Sequence, residues 1–235
     1  MYFALASCIL AVLLLNQSAL ALTFMTKEFV CPLDGTKFRA EVIASQFIAG
    51  IRTDMRRTGA VAEPPPLPVC PTDGLILFKE TFNDEEKAKL RRLVQSAEYK
   101  NAKDGLSYFL LAKIFEHLGM PNNQTAHAYL SASWQVENAG DSKRLNKYLQ
   151  SSLRHLKKHI ESSKDASEVS LEDQLLAGEL ERRLGQFEEA KERFDSLSAK
   201  LDRVSHNHRE FYRRLMGLQL QLIQKKDDKP RVIPN

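Results

Sequence analysis

Two short stretches hold the residue types best suited to chemistry: Glu28-Phe29-Val30-Cys31-Pro32-Leu33-Asp34-Gly35 and Val69-Cys70-Pro71-Thr72-Asp73-Gly74. Each is laid out like half of a zinc knuckle, in which Cys-Pro-x-Cys-Gly sets two thiolates on a tight turn. In both copies an aspartate, Asp34 or Asp73, stands where the second thiolate belongs. Asp-Gly is a good turn in its own right, since aspartate hydrogen-bonds its local backbone and glycine tolerates positive φ.

In a zinc ribbon the knuckles face one another across the metal, which brings the first cysteine of each pair close. Without the metal and the inner thiols, Cys31 and Cys70 are poised for a disulfide, and an oxidising compartment makes and keeps such a bond. Closing a loop of about 40 residues contributes about 4 kcal/mol in the chain-entropy model. Two other readings stay open. A Cys2Asp2 zinc site of Cys31, Asp34, Cys70 and Asp73 is chemically possible, because zinc accepts carboxylate oxygen, although structural sites favour thiolate and imidazole. The remaining reading has two free cysteines at unrelated turns. The disulfide is the expectation carried forward, with no metal and no cofactor.

The compartment follows from the N-terminus. The first 21 residues contain no charged side chain; an apolar run from Cys8 to Leu15 is followed by polar residues and then Ala19-Leu20-Ala21. That ending matches the small-x-small pattern cleaved by signal peptidase, so residues 1–21 read as a signal peptide. Its removal takes away Cys8 and leaves two cysteines in the mature chain. The apolar run is shorter than the roughly 20 residues needed to span a bilayer. A membrane-anchored scaffold with an uncleaved N-terminal helix is the alternative. The expected location is periplasmic or secreted, without stable membrane insertion after cleavage.

These elements need a frame to position them. Residues 22–82 read as a small β-containing, degenerate zinc-ribbon-like module: Lys37–Ile43 alternates as a strand does, Leu75–Phe82 reads as a last short strand, and Pro64-Pro65-Pro66 forms a stiff connector to Cys70. From Asn83 the pattern becomes helical. Asn83 and Glu86 form a capping box, and further helices are expected at about 104–119, 123–138, 142–162, 170–184, 186–201 and 204–225. Short loops between them imply antiparallel neighbours over 83–225. Residues 226–235 read as a flexible tail.

One segment repeats a known spacing. A tetratricopeptide unit (TPR) needs a small residue where its helices cross, a glycine near the turn, then alanine and an aromatic; Gly178, Gly185, Ala190 and Phe194 meet this need. Glu181 departs from it, standing where a tyrosine is usual. A stretched copy uses Ala112, Phe115, Gly119, Ala126 and Leu130. The fold class is therefore mainly α, with TPR-like antiparallel helix pairs following the N-terminal β module.

The paired Cys-Pro-x-Asp-Gly turns and the helices after them resemble an uncharacterised bacterial family. Its members carry two Cys-Pro-x-Cys-Gly knuckles followed by a tetratricopeptide-like region. The resemblance covers most of residues 28–200 and is carried by Cys31–Phe38, Ile51–Arg56, Val69–Phe78 and Glu179–Phe194. It implies a zinc-ribbon-like head. Metal binding does not carry over, because Asp34 and Asp73 replace two presumed ligands.

The net charge of +4 is spread over alternating acids and bases, which argues against a nucleic-acid footprint. No nucleophile–base pair or phosphate-cradling loop is present, so the chain does not read as an enzyme. His155 and His159 read as a solvated helix face among basic neighbours. Trp134, Tyr129 and Tyr148 read as core plugs. The expected function is a protein-interaction module that binds a polypeptide on the concave face formed by first helices. Mapping the repeat places Phe109, Lys113, Glu116, His117, Leu175, Glu179, Arg182 and Arg183 on that face, with the two arginines engaging acidic groups or a C-terminal carboxylate. A metal-binding or redox-active protein using the knuckles is the competing reading.

Overall fold

The computed structural model describes residues 21–102, 106–137, 139–163, 170–198, 201 and 206–234; all of the expected signal peptide except Ala21 lies outside them. The described chain is mainly helical and begins with two small antiparallel hairpins. In the first, β1 (Thr23–Val30) pairs with β2 (Lys37–Ser45), and Phe29 stacks on its cross-strand neighbour Phe38. In the second, β3 (Phe47–Ile51) pairs with β4 (Arg57–Ala60). The second hairpin lies between the expected strand Lys37–Ile43 and the proline connector, where no strand was expected. Leu75–Phe82 forms no strand; Val69 and Ile76 make a single bridge there, and Phe78 turns edge-on to Phe115 and Phe82.

Eight helices follow among the described residues: α1 (Asp84–Gln95), α2 (Ala97–Ala102), α3 (Ser107–Leu118), α4 (Asn122–Glu137), α5 (Ser142–Ser162), α6 (Leu171–Arg183), α7 (Phe187–Ser198) and α8 (His206–Gln224). Local chemistry sets their ends. Both bonds of the Asn83–Glu86 capping box form, at 2.9 Å each. Asp141 caps α5 through the Arg144 amide, and Ser170 caps α6 through the Asp173 amide. Gly185, at φ +76°, closes α6: its amide bonds the Arg182 carbonyl, and the Gln186 amide bonds that of Glu181.

Neighbouring helices pack in chain order from α3 to α8. Gly178 lets α7 approach α6 closely, because a Cβ there would meet the buried Phe194 ring at 2.8 Å. No helix among the described residues is long and apolar enough to cross a membrane.

The C-terminal segment, expected to be a flexible tail, is pinned to the second hairpin. The Ile233 amide bonds the Ile51 carbonyl, the Thr53 amide bonds that of Arg231, and Ile233 is buried in the core shared by α6, α7 and α8. An apolar residue ends an otherwise polar run, and its burial holds the segment in place.

Candidate functional site

The two Cys-Pro-x-Asp-Gly turns are built alike. In the first, the Cys31 amide bonds the Thr36 carbonyl at 2.8 Å and the Gly35 amide bonds the Cys31 carbonyl at 2.9 Å. In the second, Cys70, Leu75 and Gly74 repeat both bonds at 2.8 and 2.9 Å. Gly35 and Gly74 sit at φ +79° and +78°, a conformation in which glycine carries no Cβ penalty. Asp34 Oδ1 accepts from the Thr36 amide at 2.9 Å, and Asp73 Oδ1 accepts from the Leu75 amide at 2.8 Å. Each aspartate thus caps the turn in which it stands. Hydrogen bonds from Thr72 and from the Thr36 amide hold the Asp34 carboxyl below its usual range.

Cys31 and Cys70 are disulfide-bonded, with Cα atoms 5.6 Å apart, and both are buried. They anchor the first hairpin to the apolar cluster around α1 and α3, where the Tyr99 hydroxyl donates to the Gly74 carbonyl at 3.0 Å. Cys31 Sγ, Cys70 Sγ and a carboxylate oxygen of Asp34 all lie within 4.8 Å of one another, and Cys31 Sγ stands 3.8 Å from Asp73 Oδ2. With the sulfurs bonded to each other, this set offers no thiolate, and its carboxylates already cap their turns. As folded, it does not fit a zinc ion.

A second polar centre lies deeper. The turn between β3 and β4, Arg52-Thr53-Asp54-Met55-Arg56, enters the helical body with Met55 at φ +66°. Thr53 and Asp54 are wholly buried. Asp54 accepts from Arg52 at 2.6 and 3.0 Å, from Trp134 Nε1 at 3.0 Å and from Arg183 Nη1 at 2.9 Å. Glu137 accepts from Arg52, Arg56 and Arg183 at 2.8 to 3.2 Å. Burial alone would pull the Arg52 guanidinium down, but its bonds to Asp54 and Glu137 outweigh that and raise it.

Beside this group, Glu179 accepts from the Thr53 hydroxyl at 2.8 Å, from Arg182 at 2.7 Å and from Gln219 at 2.7 Å. Arg182 also donates to the Asp227 carbonyl. Burial pushes the Glu179 carboxyl up, and the Arg182 charge beside it acts the other way. The centre links the turn to α4, α6, α8 and the C-terminal segment.

This arrangement corrects half of the expected binding face. Leu175, Glu179, Arg182 and Arg183 are all buried, at 1%, 0%, 0% and 6% exposure, and form no exposed face; Arg183 reaches a surface pocket, beside Glu137 and Lys229. The arginines do meet acidic groups, but these belong to the same chain. Sequence reasoning missed Arg52, Thr53, Asp54, Arg56 and Glu137, because a short polar run reads as a solvated loop. The remaining signal was the four charges of Glu179–Arg183, interrupted only by Leu180, inside a helix too enclosed to solvate them.

The other half lies on α3 and stays accessible. Phe109, Lys113 and Glu116 are half-buried and His117 is exposed. His117 Nε2 lies 3.1 Å from the Lys89 carbonyl. Phe109 stacks on Tyr148 of α5 with centroids 5.1 Å apart, and Tyr129 stacks on His155 at 5.8 Å. Glu116 gathers Lys113 at 2.8 Å, the Tyr129 hydroxyl at 2.8 Å and His155 Nε2 at 3.2 Å. Burial raises the Tyr129 hydroxyl and lowers His155. His155 therefore sits in a bonded cluster, not on a solvated face, and His159 lies 3.4 Å from Asp173. Trp134, Tyr129 and Tyr148 are buried, as expected of core plugs.

A family model described as an uncharacterized protein conserved in bacteria (DUF2225) matches residues 24–212. No curated protein and no solved structure matches the chain.

Proposed function

The chain belongs to that bacterial family, and on this premise we propose that it is an exported, non-enzymatic protein-interaction module. A degenerate zinc-ribbon-like head over residues 22–82 sits on a TPR-like body over residues 83–225. The head is held by a disulfide between its two Cys-Pro-x-Asp-Gly turns. The matching turns around Cys31 and Cys70 support the head, and the close passage of α6 and α7 at Gly178 and Phe194 supports the body. The bond between Cys31 and Cys70 supports export, since such bonds persist in oxidising compartments.

One observation carries the binding role. Phe109, Lys113, Glu116 and His117 form an accessible aromatic and charged face on α3, continued on α5 by Arg154, which lies 3.9 Å from Glu116. The charges at the end of α6, by contrast, are buried. That face takes up a polypeptide. A photo-crosslinking residue at position 117, in protein exported by its native host, is expected to give a discrete adduct that an otherwise equal probe at exposed Lys225 does not. Equal labelling from both positions, or none, would contradict the reading.

A further inference from the structure

Along α5, the exposed residues Lys143, Lys147, Arg154 and Lys158 recur at helical spacing and so share one face about 22 Å long. Glu161 is the only acid in the helix. Among the described residues, Lys143, Lys147 and Lys158 form no ion pair within 4.0 Å, and Arg154 has only the distant contact with Glu116. The neighbouring Lys157 is different, being paired with Glu181 at 3.0 Å. At its C-terminal end this cationic face borders a groove between α5 and the turn joining α6 to α7. Leu153 and Leu184 give the groove apolar surface, Arg154 and Lys158 give positive charge, and Gln150 and Gln186 give amides.

We propose that this groove binds a short acidic peptide segment carrying an aliphatic side chain. The proposal rests on the interaction-module reading and names the class of partner. Carboxylates of the segment meet Arg154 and Lys158, the aliphatic group lies against Leu153 and Leu184, and the glutamine amides bond its backbone. Glu161 at the mouth excludes acidic residues from that end and so sets a polarity. A nucleic acid fits less well, because the described lining offers no aromatic ring for base stacking. An anionic bilayer fits less well too, since no large apolar side chain of the lining is exposed for insertion.

The test uses a fluorescein-labelled hexapeptide of four glutamates and two leucines, followed by anisotropy against the oxidised mature protein. Saturable binding that weakens with salt is expected. Arg154→Glu with Lys158→Glu should reduce affinity at least about tenfold, as expected when charge pairs at the centre of a contact are reversed. Lys225→Glu should leave it unchanged. Arg154→Gln with Lys158→Gln, which keeps side-chain bulk, should give a smaller loss if the reversed variant fails to fold. Unchanged peptide binding by both double variants overturns the proposal. So does dependence on Arg154 and Lys158 seen for a single-stranded oligonucleotide or for phosphatidylglycerol vesicles but not for the peptide. If the position-117 probe captures a partner while the peptide does not bind, the acidic-peptide inference alone fails and the interaction module stands.

Discussion

The head and the helical body each contain a buried polar centre, and the two are held by opposite means. In the head, one covalent bond joins two turns whose backbone bonds close within five residues of each cysteine. In the body, the turn Arg52–Arg56 is joined to helices up to 129 residues away by ion pairs among Asp54, Glu137 and three arginines. The first device acts mainly by restricting the unfolded chain. The second acts in the folded state, where each buried charge is tolerated only because its partners are in place. Reducing agents should therefore attack one centre, and loss of a single charge the other.

The largest effect is expected at Asp54. Asp54→Ala takes one of two carboxylate partners from Arg183, whose side chain is 3% exposed, and one of two from Arg52. Breaking a buried pair in this way costs about 3–5 kcal/mol. Urea denaturation of the oxidised protein should show the loss, with the Cys31–Cys70 bond still intact by mass spectrometry. A loss under about 1 kcal/mol would mean that the centre is solvated and that its ion pairs behave like surface pairs.

Reduction comes next. Opening the disulfide with a dithiol should cost up to about 4 kcal/mol, the loop-entropy value for a separation of 39 residues. The loss should be local. Amide exchange should accelerate in β1, β2 and the two turns, while Thr53 and the amides of α6 stay protected. Uniform acceleration would show that head and body unfold as one unit.

Acid probes a buried carboxylate of the body. Glu181 is buried, and burial alone would raise its carboxyl; bonds from Arg193 at 2.8 Å and from Lys157 at 3.0 Å outweigh this and lower it below its usual 4.5. A lowered carboxyl contributes stability that is present above its unfolded value and lost as pH falls through its folded value. The body should therefore weaken as pH drops below about 4.5, and Glu181→Gln should cost about 1–3 kcal/mol at neutral pH while flattening that acid limb. Denaturation midpoints of the two proteins between pH 3 and 7 check this; parallel curves would exclude Glu181 as a source of the acid sensitivity.

The two centres also differ in how legible they were. Helix limits were readable because caps are local: Asn83 with Glu86, and Gly185 after α6, act within a few residues of themselves. The turns at Cys31 and Cys70 were readable for the same reason. The body's centre was not, because Arg183 and Asp54 are brought together only by tertiary folding, and a charged run such as Glu179–Arg183 gives a solvated and a paired helix the same pattern. Glu181, a departure from the repeat pattern, owes its place to Lys157 on α5 and Arg193 on α7. The residues named on α3 came from the repeat spacing, and one helix period keeps Phe109, Lys113 and Glu116 on one side of that helix whatever surrounds it.

The smallest effect compares the twin turns themselves. Asp34 and Asp73 make the same bond to an amide two residues on, yet the amides differ in setting: Thr36 lies in an exposed turn, whereas Leu75 is fully buried. Water can replace the cap lost in Asp34→Ala, so that change should cost the less of the two. Asp73→Ala leaves a donor beside a buried residue and should cost about 1–2 kcal/mol. The asparagine variants keep an oxygen acceptor and should recover most of each loss. Thermal denaturation of the four variants with the disulfide closed tests the pair. Equal costs at both positions would mean that burial does not distinguish the turns, and a failure of both asparagines would mean that the negative charge, not the acceptor, is what each turn needs.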